Sequence, residues 1–292
     1  MKALKYFLIL FIFSAFVACS EDDKVNPSGE ELFPPMEASD IDKQLMEMFT
    51  DYNTRVEYRY VKNLLPSDWY YITPVREELV VPMSQLVLDM WVDPLLAGAS
   101  KEFVGLTFPK MLVYVGSPAF KLDGSRVLGQ AEGGTLIRFT EVNFFDESNV
   151  GWINTQMHTA FHEYGHIIHQ RFGFPNDYRE VTPDTYTKSG WRTVDSREAL
   201  QKGVVSSYGT KSFQEDFVEL FATYIIGSDA ELEHLFVDVA DPSPEEAKDN
   251  AGRAILREKL SIQQKYMTNV GINMDAVRTA YQTRIAEKAA QE

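Results

Sequence analysis

The 292-residue chain has one cysteine, few cations relative to its acids, and near its start an apolar run of only twelve residues, short of the roughly 20 that a membrane span needs. A single cysteine excludes an intramolecular disulfide and any metal site built on several thiolates, so a metal must be held by histidines and carboxylates. Lys and Arg number 28 against 43 Asp and Glu, a formal charge of −15. Nucleic-acid binding draws on cations that displace counterions from phosphates, so this balance argues against nucleic acid as a partner. Apolar residues are not scarce: at 45% of the chain, with 13% aromatics, they suffice for a core and exclude disorder, collagen-like repeats and a coiled-coil rod.

The single cysteine stands at a telling place. Met1-Lys-Ala-Leu-Lys5 is basic, Tyr6 to Val17 is apolar over twelve residues, and Ala18-Cys19-Ser20 follows. This order of basic, apolar and small residues predicts a cleaved export signal over residues 1–18. A cysteine directly after such a signal resembles the lipobox of bacterial lipoproteins, which implies that Cys19 becomes the lipidated N-terminus. The acidic run Ser20-Glu21-Asp22-Asp23 resembles the signal that sends some of these proteins to the outer face of the outer membrane. Residues 19–35 read as a flexible acidic linker, and residues 36–292 as one domain, with no second linker or repeat.

Within that domain, apolar periodicity predicts helices over Asp40 to Asn53 and Val80 to Leu96. Met111 to Val115 and Thr135 to Val142 are β-branched and aromatic runs separated by turn signals at Asp123-Gly124 and Gly133-Gly134, which predicts a small sheet. From about residue 152 the pattern is helical, with segments near 152–172, 195–202, 211–226, 229–239, 244–268 and 273–290. A sheet followed by helices predicts an α+β class.

The chemistry centres on His162-Glu163-Tyr164-Gly165-His166, an H-E-x-x-H pattern in an apolar helix. Residues four apart share a helix face, so both imidazoles can reach one zinc ion, while Glu163 is turned about 100° from His162. His158 and His169 lie one turn beyond either end and are expected to support or pack rather than ligate, and His234 has no motif around it. Two histidines do not complete a catalytic zinc site, so a carboxylate is needed. In Ser212-Phe-Gln-Glu215-Asp-Phe-Val-Glu219, Ser212 reads as an N-cap with Glu215 at the third helical position. Glu215 and Glu219 share one face of a helix otherwise rich in apolar residues, so one or both point inward and need a partner. Asp216 is turned away from Glu215 and is expected in solvent.

This arrangement resembles the gluzincin-type zincins, which carry a ligand glutamate on a helix after H-E-x-x-H and an acidic residue four positions on that orients a ligand histidine. The resemblance implies Zn²⁺ on His162, His166 and Glu215, with Glu219 behind a histidine and Glu163 as general base. Gluzincins of the lethal-factor type place a Tyr-Gly step seven residues before the ligand glutamate. Tyr208-Gly209 stands at that spacing, which implies that Tyr208 stabilises an oxyanion. With Cys19, the whole is similar to the substrate-import-associated zinc metallohydrolase lipoproteins. That likeness implies a surface-exposed outer-membrane metallopeptidase acting on peptide or protein substrates, beside a TonB-dependent receptor and its lipoprotein partner. The strand Leu136 to Asn143 resembles the edge strand on which zincins lay an extended peptide. Two other readings remain open: a non-catalytic nutrient-binding lipoprotein with a structural zinc, and a zinc hydrolase of a non-peptide amide. Glu163 and Tyr208 speak against the first, since a structural site needs neither.

Overall fold

A computed structural model describes residues 38–290 apart from 67, 69, 70, 123, 125, 128, 133 and 134. The export signal, Cys19, the acidic linker and the turn residues Asp123, Gly133 and Gly134 lie outside the described residues. Asp40–Glu292 forms one compact unit of mixed α and β structure, mostly helical.

Helix α1 (Asp40–Phe49) leads through a 3-10 turn to strand β1 (Arg55–Glu57). Helix α2 (Val80–Val87) widens into a π-turn at Leu88–Val92 and continues as α3 (Asp93–Gly98). Pro94 explains the widening: it offers no N–H to the carbonyl one turn back and its ring crowds that carbonyl. The segment Glu77–Gly98 has the length and apolar character of a spanning helix, yet Met83, Met90, Trp91 and Leu95 are wholly buried in the core. Helix α4 (Lys101–Thr107), strands β2 (Met111–Tyr114), β3 (Ala119–Phe120), β4 (Arg126–Val127), β5 (Gly129–Glu132) and β6 (Leu136–Phe139) follow. The helical half comprises α5 (Val150–Phe172), α6 (Asn176–Val181), α7 (Ser196–Gln201), α8 (Phe213–Ile226), α9 (Asp229–Phe236), α10 (Pro244–Val270) and α11 (Met274–Ala289).

The main sheet has the order β1-β2-β6-β5, with β1, β2 and β6 parallel and β5 antiparallel to β6. The described strands all lie before the helical half, with β1 entering the sheet from before α2, α3 and α4. One expectation is corrected: the strand from Leu136 is not an edge, because β5 doubles back on it with Glu132 opposite Leu136, and β5 takes the edge. That strand also stops at Phe139, because Glu141 adopts a left-handed φ of 68° and Val142–Phe144 turns as a 3-10 segment.

Trp91 ties the layers together. Its ring centroid lies 4.6 Å from Phe108, 6.2 Å from Phe139 of the sheet and 6.1 Å from Tyr164 of α5. The Tyr164 hydroxyl also bonds to Thr107 Oγ1 at 2.6 Å. A buried aromatic contributes about 1.5–3 kcal/mol, and Tyr164 sits inside the H-E-x-x-H run. One face of that run is thus fixed to the core while the histidines are presented on the other.

Candidate metal centre

Helix α5 starts with Asn149 as its N-cap, accepting from Trp152 N–H, and carries His162, Glu163 and His166. Helix α8 starts with Ser212, whose hydroxyl accepts from Glu215 N–H at 3.3 Å. The expected cap is therefore present, but only half of a capping box is. Ser228 with Glu231 and Ser243 with Glu246 close both bonds on more exposed helices. Glu215 instead turns its carboxylate into the cleft, where the helix N-terminus favours negative charge. An S-x-x-E step whose glutamate faces histidines across the fold is the local sign of a carboxylate diverted from capping.

The two helices meet closely because of Gly165. A Cβ there would stand 2.8 Å from Cγ1 of Val218, which lies between Glu215 and Glu219 on α8. With that approach, His162 Nε2 and His166 Nε2 each lie 3.3 Å from Glu215 Oε2. The three donor atoms fall within 4.8 Å of one another. Ligands at zinc distances of about 2.0–2.1 Å, set at the tetrahedral angle, stand about 3.3–3.4 Å apart. The donor set and its spacing therefore fit zinc.

Each donor is backed by a further group. His162 Nδ1 donates to Glu219 Oε1 at 2.7 Å, and Glu219 Oε2 accepts from Ser206 Oγ at 2.5 Å. Ser206 Oγ in turn accepts from Gly209 N–H at 3.0 Å, tying the carboxylate to the turn that carries Tyr208. His166 Nδ1 donates to His169 Nε2 at 2.9 Å. Burial, reinforced by His166, pushes His169 down to about 4, so it is neutral and able to accept. Both histidines are thereby left with Nε2 toward Glu215.

Charges in the cleft compensate one another. Burial pulls His162 down, but its bonds to Glu215 and Glu219 outweigh burial and hold it up at about 10. Burial likewise pulls Glu219 up, yet the charges and bonds of His158 and His162 bring it down to about 2. For Glu215, bonds from His162, His166 and Lys211 overcome burial and hold it well below the usual carboxylate range. Tyr208 donates to Glu215 Oε1 at 3.2 Å, and burial with the Glu215 charge raises it to about 12. Its ring lies 5.9 Å from that of His162. Glu163 is partly buried, acts on His162 through its charge, and accepts no hydrogen bond among the described residues.

Of the other residues weighed in the sequence, His158 lies with Nε2 3.8 Å from Glu219 Oε1, outside the three-donor cluster. His234 is exposed on α9. The expectation for Asp216 is corrected: it is completely buried, 2.6 Å from the equally buried Lys259 of α10, and accepts from Tyr186 at 2.8 Å. A partner 43 residues away makes burial of that carboxylate affordable, and no local pattern announces it. Ser206 and Lys211 were missed. Ser206 has no motif, whereas Lys211 was within reach of sequence reasoning, being four residues before Glu215.

Comparison with known proteins gives the family. Residues 34–275 match the family described as "Putative zinc-binding metallo-peptidase". The fold is similar to the crystal structure of a protein from Bacteroides caccae ATCC 43185 titled with the same description. The TM-score is 0.69 and the identity 24%, covering 86% of this chain and 93% of that one. No protein of curated function matches. With residues 34–275 matched, the chain belongs to the family of that description.

Proposed function

We propose that the protein is a zinc metallopeptidase of the gluzincin type, with zinc held by His162, His166 and Glu215. The observation that carries this reading is the convergence of two imidazole Nε2 atoms on one oxygen of Glu215, 3.3 Å away in each case, with Glu163 next to the first histidine. Zinc, when bound, supplies a Lewis-acid centre that acidifies water and polarises a carbonyl. Glu163 takes a proton from the attacking water and returns it to the departing amine. Tyr208 donates its hydroxyl proton as a hydrogen bond to the carbonyl oxygen as that oxygen gains charge. Glu219 holds His162 in the tautomer that offers Nε2. The edge strand β5 packs along α5, a position that suits an extended peptide added by main-chain hydrogen bonds.

In this reading the domain at residues 36–292 is anchored through Cys19 and the linker at the outer membrane, facing the cell surface, and works beside a TonB-dependent receptor and its lipoprotein partner. The family match supports the peptidase part; the anchor rests on the sequence around Cys19. Cleavage of a peptide library with and without a chelator, by the parent chain and by Glu163→Gln, tests the function. The parent should cut in a chelator-sensitive way, and Glu163→Gln should keep zinc and lose cleavage. An active Glu163→Gln removes Glu163 as the base, and a zinc-loaded parent that cuts nothing overturns the peptidase reading.

A further inference from the structure

The two oxygens of Glu215 are in different company. Oε2 faces both imidazoles, whereas Oε1 lies 2.7 Å from Lys211 Nζ and 3.2 Å from the Tyr208 hydroxyl. Lys211 Nζ also donates to that hydroxyl at 2.9 Å, and its ammonium lies 4.8 Å from the Tyr208 ring centroid. Lys211 is the last residue of the 3-10 turn Tyr208–Lys211, directly before the cap of α8. A cation is the wrong sign for a helix N-terminus, so this lysine is not placed there to support the helix. Its side chain is only partly exposed and Glu215 is nearly buried, which also separates the pair from an ordinary surface ion pair.

We propose that Lys211 is a positioning residue that makes Glu215 a one-oxygen ligand. A carboxylate with both oxygens unrestrained can rotate to chelate a metal with the pair, taking up the direction that substrate and water need. The charge-assisted bond from Lys211 keeps Oε1 turned away and leaves Oε2 alone toward His162 and His166. It also frees Tyr208. The phenol's bond to Oε1 is the longer and the neutral one, so Tyr208 can leave Glu215 for a substrate oxygen while Lys211 keeps the carboxylate in place. This inference rests on the zinc site proposed above and adds a residue to it.

The test uses the full chain with Co²⁺ as a spectroscopic probe of coordination number, and Zn²⁺ titrated against a chromophoric chelator. Lys211→Met keeps the length of the side chain and removes its charge and donors. It should weaken and shift the cobalt d–d bands toward five-coordination and raise the zinc dissociation constant about 10–100-fold. Lys211→Arg, which keeps charge and donors, should retain the parent spectrum and affinity. Tyr208→Phe should keep the parent spectrum, because Lys211 still holds Oε1. Parent-like cobalt bands and zinc affinity in Lys211→Met overturn the proposal, as does a Tyr208→Phe spectrum that changes in the same way as Lys211→Met. If Lys211→Met does not fold, a five-coordinate spectrum in Lys211→Arg equal to that of Glu215→Asp overturns it. A parent chain that takes up neither metal overturns the zinc site itself, an outcome distinct from a parent that binds normally and a Lys211→Met that matches it.

Discussion

Gly165→Ala tests the close approach of the two helices. Alanine is better than glycine in a helix interior by about 1 kcal/mol, so propensity alone predicts a stabilised protein. The added Cβ would stand 2.8 Å from Val218 Cγ1, 3.1 Å from Val218 Cβ and 3.4 Å from Phe221 Cδ1. Carbon atoms prefer about 3.5–4.0 Å, and a β-branched side chain in a helix has nowhere to rotate. The helices must separate by roughly half an ångström, and overpacking of this sort costs about 1–3 kcal/mol. The net expectation is a metal-free protein destabilised by about 1 kcal/mol, measured by denaturant unfolding. Zinc affinity is more sensitive, because Glu215 rides on α8 and its oxygen must stay near both histidines. The dissociation constant, read by chelator competition, should rise about tenfold or more. Adding Val218→Ala removes the obstructing methyls and should restore much of the lost affinity, a coupling that independent sites do not show. If Gly165→Ala is stabilised by the propensity gain and binds zinc as before, the argument from close approach is refuted.

Other expectations follow from the same geometry. Glu219→Gln should keep the fold and raise the zinc dissociation constant about 10–100-fold, since it weakens the acceptor behind His162 Nδ1; unchanged affinity would remove Glu219 from that role. His162 is held up at about 10 in the metal-free chain, so zinc must displace its proton. Uptake between pH 7 and 9 should therefore release about one proton from this residue and tighten about tenfold per pH unit, which calorimetry in buffers of different ionisation enthalpy can check. The raised His162 value also adds stability to the metal-free fold that is full below about pH 6.5 and lost as pH rises through about 10. Glu219, brought down to about 2, adds stability present above its ordinary value and lost as pH falls through about 2. Lys259→Met strands the buried Asp216 and should cost about 3–5 kcal/mol in denaturant unfolding; a loss below about 1 kcal/mol would show that the pair is not what holds that carboxylate.

The parts of the site that were legible in the sequence are those where ligand geometry and helix geometry coincide. His162 and His166 are one turn apart, and so are Glu215 and Glu219, so each pair could be placed on a face without knowledge of the fold. The helix boundaries after residue 150 were close because caps mark them: Asn149, Ser212, Ser228, Ser243 and Asn273 each accept a backbone N–H at a helix start. What escaped depends on distant partners or on weak local signals. Asp216 needs Lys259 to be buried. Strand β1 is three residues long, and β5, Gly129-Gln-Ala-Glu132, holds no β-branched or aromatic residue. Its return along Leu136–Phe139 is what moved the expected edge strand into the interior. His169 was expected to pack or support, and its bond to His166 Nδ1 gives it the second of these tasks.

Whether His162, His166 and Glu215 together hold one zinc ion can be read from the zinc content of the purified chain and of Glu215→Gln, His162→Ala and His166→Ala, each dialysed against a weak chelator. One zinc per chain is expected in the parent and little or none in each variant. A parent without zinc, or a Glu215→Gln variant that retains the parent's full content, would contradict this.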